Sequence, residues 1–372
     1  MLNILNSRLI VIKIGSSLLF TEKKALKLKW VNSLVSDISN LIKQEKKIIV
    51  VTSGAIALGC KKLKINKKNL KLNEFQAVAA VGQIELMNIF KKEFSKRNIN
   101  TAQILLTLDD TENRRRSLNA KDTIVNLHKI SVLPIVNEND TTATSEIRYG
   151  DNDRLAARVA QITEADTLIM LSDIDGLFTQ NPKKYKNAKI INKIFKIDNN
   201  IIKSASKSIS DYGSGGMITK IEAAKICMNT GCNMIIANGL KNHPIRNLKK
   251  SDRYTWFIPR INKVSFKKKW IQSSMNTKGA IIIDDGARKA LLKGKSLLPV
   301  GIISFRGSFA RGETIQVLSK KLSKIAIGVS AYSSKDISLI KGENSSKIKK
   351  ILGYSSRGEV IHADNMVINR NE

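Results

Sequence analysis

Short apolar runs alternate with longer stretches of helical periodicity up to about residue 240 of this 372-residue chain, and this alternation constrains its fold more than any other feature. The apolar runs have strand length, whereas the stretches between them repeat their apolar residues at the helical period. Strands that alternate with helices form a mostly parallel sheet. We therefore predict an α/β fold in which a mostly parallel sheet is sandwiched by helices. The predicted strands span residues 9–14, 48–51, 102–106, 132–136, 167–171 and 233–237, and the predicted helices span residues 30–43, 75–94, 114–128, 153–162 and 216–228.

The pattern changes after Gly239. Residues 241–270 are polar and basic and have no regular period, which predicts an irregular segment. From Gly279 onward, the pieces AIIID, GIISF, ETIQVL and KIAIGVS have strand length and are separated by turns that contain glycine. A chain of this length is long enough for two cores. We predict a first domain at residues 1–258, a linker at 259–274 and a second, smaller β-rich domain at 275–372.

The formal net charge of +33 admits two interpretations. A nucleic acid, an acidic surface or a phosphorylated substrate would be attracted to so basic a protein. The lysines are nevertheless spread along the whole chain, which is also rich in Asn and Ile, as expected of a protein encoded by an AT-rich genome. Because most charged runs are solvated surface, we favour compositional drift over a dedicated anion-binding face.

Composition also predicts the compartment. The chain has no run of about twenty apolar residues, so we expect no membrane span. The N-terminal segment MLNILNSRLIVIKIG lacks the basic, apolar and small-residue regions of a signal peptide. Three cysteines, which are Cys60, Cys227 and Cys232, are an odd number and fit no zinc-binding spacing. We therefore predict a protein of the reducing cytoplasm.

Glycine-containing turns follow the first two predicted strands. Lys13 lies at the end of the first strand and precedes the turn GSS, so an ammonium group and backbone N–H groups can lie against a phosphate. In VTSGAIA, Ser53 and Gly54 begin a helical stretch whose free N–H groups can bind an anion such as a carboxylate. Each motif also has an ordinary alternative: a common turn glycine in the first and a serine N-cap in the second.

Acidic and amide side chains are dense in two neighbouring segments, NEND at residues 137–140 and GDND at residues 150–153. Such side chains can hold an ammonium group, orient a lysine or interact with Mg²⁺ through water. The alternative is that they form turns and cap a helix. Two such clusters close together favour a binding role.

The segment GSGGMITK at residues 213–220 is a glycine-rich loop that leads into a helix. Such a loop suits phosphate binding, and Lys220 lies in the first turn of the helix. It is not a Walker A loop, because Thr219 rather than glycine precedes the lysine. Together, these five segments predict a phosphoryl-transfer site, which needs cations on the transferring group and a rigidly oriented acceptor.

The motifs KIGSSLL, VTSGAIALG, AAVGQ, NENDTTATSEI, GDND and GSGGMITK occur in this order at spacings that resemble those of bacterial glutamate 5-kinases, which belong to the amino acid kinase family. The resemblance continues through IDDGARKALL, SLLPVGI, FARGE and ILGYSS in the second domain. This second domain is similar to a PUA domain, a fold found in many RNA-modifying proteins. The resemblance covers essentially the whole chain and implies an amino acid kinase fold followed by a PUA-like domain.

The resemblance also implies roles at the matching positions. Lys13 and Lys220 would stabilise the transferring phosphoryl group, and Asp153 would hold these two lysines in place. Glutamate would be bound by Ser53, Asp140 and Asn152. The nucleotide would be bound by Lys13, Ser172, Asp173, Ser214, Gly215, Gly216, Met217, Ile218, Thr219 and Lys220.

Three positions depart from the family pattern. Family members often have threonine where Ser172 stands, but the hydroxyl group is kept. They often lack an acid where Asp175 stands, so this residue is assigned no role. Arg154 follows Asp153 directly, which puts the local electrostatics of that carboxylate in question.

The implied activity is the ATP-dependent phosphorylation of the side-chain carboxylate of L-glutamate to L-glutamyl 5-phosphate, the first step of proline biosynthesis, with ATP as co-substrate and Mg²⁺ as cofactor. Because an acyl phosphate is labile, a glutamyl phosphate reductase is the expected partner, and we expect a homo-oligomer. One alternative is another member of the family, acting on N-acetylglutamate, aspartate, carbamate or a nucleotide. The other is an RNA-binding PUA protein, although we expect no tight, specific RNA binding.

Overall fold

The structure of the protein is a computed structural model. It describes residues 6–21, 25–66, 70–142, 152–182, 184–206, 216–248, 253–260, 277–354 and 358–369. The chain divides into two compact units, Met1–Asn262 and Lys263–Glu372. The exact domain boundaries stay a prediction, because the expected linker falls largely outside the described residues. Among the described helices, none has both the length and the apolar character that crossing a membrane requires.

The first unit alternates strands with helices, as the sequence predicts. The strands are β1 (Leu9–Ile14), β2 (Lys47–Val51), β3 (Asn100–Leu106), β4 (Val132–Glu138), β5 (Thr167–Ser172), β6 (Lys193–Ile194), β7 (Asn233–Asn238) and β8 (Tyr254–Phe257). The helices are α1 (Ser16–Leu19), α2 (Leu28–Lys43), α3 (Ala55–Leu63), α4 (Leu72–Ser95), α5 (Leu108–Glu112), α6 (Arg114–Lys129), α7 (Asn152–Ile162), α8 (Asn199–Ser206), α9 (Met217–Asn229) and α10 (Pro244–Leu248).

These strands form one sheet in the order β3-β4-β2-β1-β5-β7-β8-β6. Neighbouring strands pair in parallel, except for β7 and β8, which pair antiparallel. Strand β1 therefore lies inside the sheet, between β2 and β5. The predicted α/β class and mostly parallel sheet are confirmed.

Side chains of β1 alternate between two hydrophobic clusters. Ile10, Ile12 and Ile14 pack in a cluster with residues of α2 and α4, whereas Val11 packs in a second cluster with residues of α7 and α9. A strand that is buried on both faces has a nearly continuous apolar sequence, which explains LIVIKI. The period of two places Lys13 on the face of Val11, toward α7 and α9.

One expectation for this unit was wrong in part. Residues 241–270 were expected to be irregular, but Pro244–Leu248 is a helix and Tyr254–Phe257 is strand β8, which lies next to the edge strand β6. Thr255 and Phe257 are fully buried, and β8 pairs with β7. A strand of four residues gives too short a pattern to recognise, because its stability comes from pairing with a strand far away in the sequence.

The second unit contains a smaller sheet, in the order β10-β9-β11-β12-β13. The four strand-like pieces of the sequence correspond to its first four strands, which confirms a β-rich unit. Its own core includes Ile281, Val317 and Ile337. Strands of this sheet are β9 (Ala280–Ile283), β10 (Ile302–Arg306), β11 (Thr314–Leu318), β12 (Lys324–Val329) and β13 (Met366–Ile368), and the helices are α11 (Asp285–Leu292), α12 (Ser334–Ile340) and α13 (Ile348–Leu352).

Candidate active site

The predicted site residues lie at the C-terminal ends of the parallel strands. Lys13 is the penultimate residue of β1, Ser53 follows β2, Asp140 follows β4, and Ser172 ends β5. In open α/β sheets, ligands bind in the crevice at this edge. The strand pairing therefore brings segments that are distant in the sequence to one edge of the sheet.

Asp153 links two lysines from two other elements. Its carboxylate forms an ion pair with Nζ of Lys13 on β1 and another, at 2.9 Å, with Nζ of Lys220 on α9. The hydroxyl group of Thr219 also donates a hydrogen bond to Asp153, at 3.1 Å. All three charged side chains are buried. This cluster carries one negative and two positive charges, so it has a net positive charge to offer an anion.

Two opposing effects set the pKa of Asp153. Burial raises this pKa, because a buried carboxylate loses its hydration. Attraction to Lys13 and Lys220 and the hydrogen bonds from them lower the pKa by more than burial raises it. The result is a pKa well below the ordinary value for aspartate. Asp153 is therefore ionised at neutral pH and can hold both ammonium groups.

Arg154 does not disturb this arrangement. Its side chain is exposed and lies 3.9 Å from Glu222 on α9, at the long end of an ion-pair distance. Successive residues of a helix point in different directions, so the arginine turns toward solvent while Asp153 turns inward. Arg154 therefore leaves the interaction of Asp153 with the two lysines in place, although it follows Asp153 directly in the sequence.

Two residues predicted to bind the acceptor are held in place by backbone carbonyl groups. Nδ2 of Asn152 donates hydrogen bonds to the carbonyl oxygen of Thr52 and, at 2.8 Å, to Oδ1 of Asn137. The hydroxyl group of Ser53 donates to the carbonyl oxygen of Ile14, at 3.1 Å. Ser53 does not cap α3, because the N-cap position is occupied by Gly54, which makes no side-chain bond.

Gly54 adopts a backbone conformation that explains its identity. Its φ is 113°, a value at which L side chains are strained, and an added Cβ would lie 3.0 Å from the ring of Phe20. The turn between β2 and α3 therefore requires glycine. This turn directs the N-terminus of α3, with its free N–H groups, toward the edge of the sheet that carries the site.

Asp140 is the third residue predicted to bind the acceptor. Its carboxyl group is partly buried, and burial raises its pKa to about 6. No hydrogen bond or ion pair of this carboxylate is formed with the rest of the described chain. A cation such as a substrate ammonium group would relieve the cost of ionising it.

Two close-packed glycines hold α3 against α4. A Cβ added to Gly59 on α3 would lie 1.9 Å from the carbonyl oxygen of Val78, and one added to Gly82 on α4 would lie 1.8 Å from that of Ala55. Both distances are far inside van der Waals contact. The glycines therefore allow the backbones to touch, and this contact places Gln83 of α4 near the site.

The structure describes only some of the residues predicted to bind the nucleotide. Ser172 is buried and its hydroxyl group donates to Asp173, which is exposed, at 3.2 Å. Gly216 is extended and precedes α9, whose first turn runs from Met217 through Ile218 and Thr219 to Lys220. Ser214 and Gly215 lie outside the described residues. The ATP-binding role of this set stays a prediction.

Two groups of residues at the same edge were not predicted from the sequence. Gln83 accepts a hydrogen bond from Nδ2 of Asn137, at 2.7 Å, and both side chains are buried. The motif AAVGQ contained this glutamine but gave no sign of its partner. Asp175, to which no role was assigned, accepts bonds from Asn238 at 2.9 Å and from Arg253 at 2.8 Å.

Comparisons with known proteins show the family of the chain. The profile of the amino acid kinase family matches residues 8–238, and the PUA domain profile matches residues 279–352. The chain belongs to the amino acid kinase family and carries a PUA domain in its second unit. It is 59% identical to a protein named glutamate 5-kinase from Pelagibacter ubique, over 97% of this chain and 98% of that protein. It is 46% identical to a protein of the same name from Bradyrhizobium diazoefficiens, over 97% of each chain. It is 44% identical to another from Rhodospirillum rubrum, over 96% of each chain.

Proposed function

We propose that this protein is a glutamate 5-kinase, which transfers the γ-phosphoryl group of ATP to the side-chain carboxylate of L-glutamate. The observation that carries the proposal is the buried cluster in which Asp153 binds both Lys13 and Lys220, close in the chain to Asn152. The named relatives support the choice of glutamate over the other acceptors of the family, because the similarity extends over nearly the full length of both chains.

The chemistry assigns a clear task to the two lysines. A carboxylate is already ionised at neutral pH, so glutamate needs no general base to attack the γ-phosphorus. The difficulty is that two anions must approach, and like charges 4 Å apart repel by about 4 kcal/mol at an effective dielectric constant of 20. Lys13 and Lys220 would offset this repulsion and stabilise the charge of the transition state. Asp153 would orient them without cancelling their combined charge.

The other predicted residues would position the acceptor. Asp140 and the free oxygen of Asn152 would bind the ammonium group of glutamate, because each is an acceptor of hydrogen bonds. The N-terminus of α3, beside Ser53, would bind a carboxylate. The attacking oxygen would then be held in line with the leaving group, which is the main contribution of positioning to such a reaction.

Mg²⁺ would enter with the nucleotide. Among the described residues, no three acidic, histidine or cysteine side chains form a group that could hold a metal ion. Mg²⁺ commonly keeps several waters and binds through substrate phosphates with few protein ligands. The described residues therefore provide no metal cage, and among them Lys13 and Lys220 would offset the charge of the phosphates.

The product would be L-glutamyl 5-phosphate. Because this acyl phosphate is labile, we propose that a glutamyl phosphate reductase consumes it rapidly. We also propose that both enzymes act in the cytoplasm, at the start of proline biosynthesis. We also propose a homo-oligomer, in keeping with the family resemblance.

An ATP-dependent hydroxamate assay tests the function directly. Hydroxylamine converts an acyl phosphate into a hydroxamate that can be measured by its colour with iron. We expect turnover with L-glutamate and much lower turnover with aspartate and N-acetylglutamate, under the same ATP and Mg²⁺ concentrations. Better turnover of either alternative acceptor would contradict the assigned specificity.

A further inference from the structure

Three buried amide side chains form a chain of hydrogen bonds that ends at the acceptor side of the site. Gln83 comes from α4, Asn137 from the end of β4 and Asn152 from the start of α7. Nδ2 of Asn137 donates to Oε1 of Gln83 at 2.7 Å, and Nδ2 of Asn152 donates to Oδ1 of Asn137 at 2.8 Å. Nδ2 of Asn152 also donates to the carbonyl oxygen of Thr52. We refer to Gln83, Asn137 and Asn152 as the amide chain.

The direction of the amide chain is fixed at one end by the backbone. The carbonyl oxygen of Thr52 can only accept, so the end of the Asn152 side chain that faces it must be the NH₂ group. Asn137 must then present its oxygen to Asn152 and its own NH₂ group to Gln83. Gln83 completes the order by presenting Oε1.

This order leaves one acceptor of Asn152 unused. Both hydrogen atoms of its NH₂ group are occupied, whereas its Oδ1 is buried and has no hydrogen-bond partner among the described residues. A buried acceptor without a partner costs free energy unless a ligand satisfies it. An ammonium group, which only donates, is the complementary ligand.

We propose that Gln83 is a positioning residue for the amino acid acceptor, because it fixes the amide of Asn137 and thereby keeps Oδ1 of Asn152 available to the substrate ammonium group. This inference rests on the proposed function, in which Asn152 binds glutamate. The direction of the Asn137 amide is set from Thr52 through Asn152, whereas its position also depends on Gln83. If Gln83 could not accept, the buried NH₂ group of Asn137 would lose this partner, and the side chain would shift toward another acceptor. That shift would lengthen the bond from Nδ2 of Asn152 and displace the Asn152 side chain.

A purely structural role for Gln83 makes a different prediction. Loss of a buried hydrogen bond would then lower the stability of the protein and affect both substrates alike. A positioning role affects the acceptor selectively. The relevant readout is therefore the KM for glutamate relative to the KM for ATP, rather than activity alone.

The test compares three variants of the full-length protein with the wild type. Gln83→Met removes the acceptor and keeps an unbranched side chain of similar length. Gln83→Glu keeps an oxygen that accepts from Asn137, whether its carboxyl group is ionised or neutral. Asn88→Met makes an equivalent replacement at an exposed position of the same helix. KM values for glutamate and ATP, kcat and thermal unfolding are measured for each.

We expect Gln83→Met to raise the KM for glutamate about tenfold, the loss expected from one misplaced hydrogen bond, with the KM for ATP within about twofold of wild type. Gln83→Glu should restore the KM for glutamate to within about threefold of wild type, and Asn88→Met should change neither KM. If Gln83→Met does not fold, Gln83→Ala should give the same selective increase.

Three outcomes would overturn the inference: an unchanged KM for glutamate in the variants without an acceptor, a parallel rise in both KM values, or no recovery with Gln83→Glu. The wild-type measurement tests the proposed function separately. Failure of the wild type to phosphorylate glutamate would refute that function, whereas a wild type that does so leaves the variants to decide the role of Gln83.

Discussion

Nζ of Lys220 lies 2.9 Å from Oδ2 of Asp153, and the two side chains are only 7% and 1% exposed. An ion pair so deeply buried is costly, because both charges lose their hydration. Lys13 binds the same carboxylate, so the carboxylate is shared and the cluster keeps a net positive charge. The pair is therefore better explained as the means of holding a cation for an incoming anion than as a source of stability.

Replacement of Lys220 should affect the chemical step. We expect Lys220→Ala to lower kcat by about 10²–10³, the loss typical of one positioned donor to transition-state charge, with a much smaller effect on glutamate binding. Steady-state kinetics with both substrates will measure this. Lys225→Ala, at an exposed position of the same helix, is the matched control and should retain kcat. A near-normal kcat for Lys220→Ala would rule out the assigned phosphate role.

Acceptor binding should depend on the ionisation of Asp140. Burial raises the pKa of this carboxyl group to about 6, so it is ionised above pH 6 and becomes protonated below it. Because only the ionised form attracts an ammonium group, kcat/KM for glutamate should fall by up to about tenfold per unit as pH decreases below 6. Rate measurements between pH 5 and 8 will show this.

Asp140→Asn is the control for that profile. This variant should raise the KM for glutamate at neutral pH and should no longer show the decrease in kcat/KM near pH 6. Asp140→Ala should likewise act mainly by raising the KM for glutamate. If kcat/KM of the Asp140→Asn variant still decreased below pH 6, the titrating group would be a different one.

The contact between α3 and α4 should tolerate no side chain at Gly82. A Cβ there would lie 1.8 Å from the carbonyl oxygen of Ala55, so the helices must separate. We expect Gly82→Ala to lower the free energy of unfolding by about 1–3 kcal/mol and to raise the KM for glutamate, because Gln83 would move. Gly286→Ala on α11, where the nearest atom to an added Cβ is a side-chain oxygen at 3.3 Å, is the control. Denaturant unfolding and kinetics of both variants will show whether the helix contact matters.

A chain that ends near Trp270 should keep the fold and activity of the kinase unit. The clusters that surround its sheet belong to the first unit, and the second unit has a separate core. Circular dichroism and the hydroxamate assay, applied to the truncated and full-length proteins, will test this. A well-folded truncation without turnover would show that the second unit completes the active site.

The PUA domain should not confer tight, specific RNA binding. Positive charge is spread over the chain, and such charge gives weak association that decreases steeply with salt and ignores sequence. Filter binding over a salt series, with two unrelated RNAs, measures both properties. Sequence-selective binding that persists at physiological salt would contradict this prediction.

The long helices and strands could be predicted because the local pattern of apolar residues shows which of their faces are buried. LIVIKI is apolar on both faces of a buried strand, and its bounds agree with β1. Strand β8 was missed because its four residues are stabilised by pairing with β7, which no local pattern records. For the same reason, its antiparallel direction was not foreseen.

In the candidate site, too, contacts between residues that are distant in the sequence could not be predicted. Lys13, Asp153 and Lys220 could be proposed because each lies in a segment that suits phosphate or cation binding and because the family resemblance implies their roles. The partner of Gln83 could not be predicted, because it depends on how closely α4 packs against α3. Gly59 and Gly82 permit that close packing, and only the packed helices show that their missing side chains are required for it.

The position of β1 inside the sheet has a consequence for synthesis on the ribosome. Lys13 is translated early, but β5, one of the two strands that flank β1, begins only at Thr167, and Lys220 follows later still. Folding that proceeds from the N-terminus during translation cannot assemble the cluster of Lys13, Asp153 and Lys220 until α9 has left the exit tunnel. An unfinished chain therefore lacks the cluster on which the proposed phosphoryl transfer depends, and the cluster is complete only after nearly the entire first unit has been made.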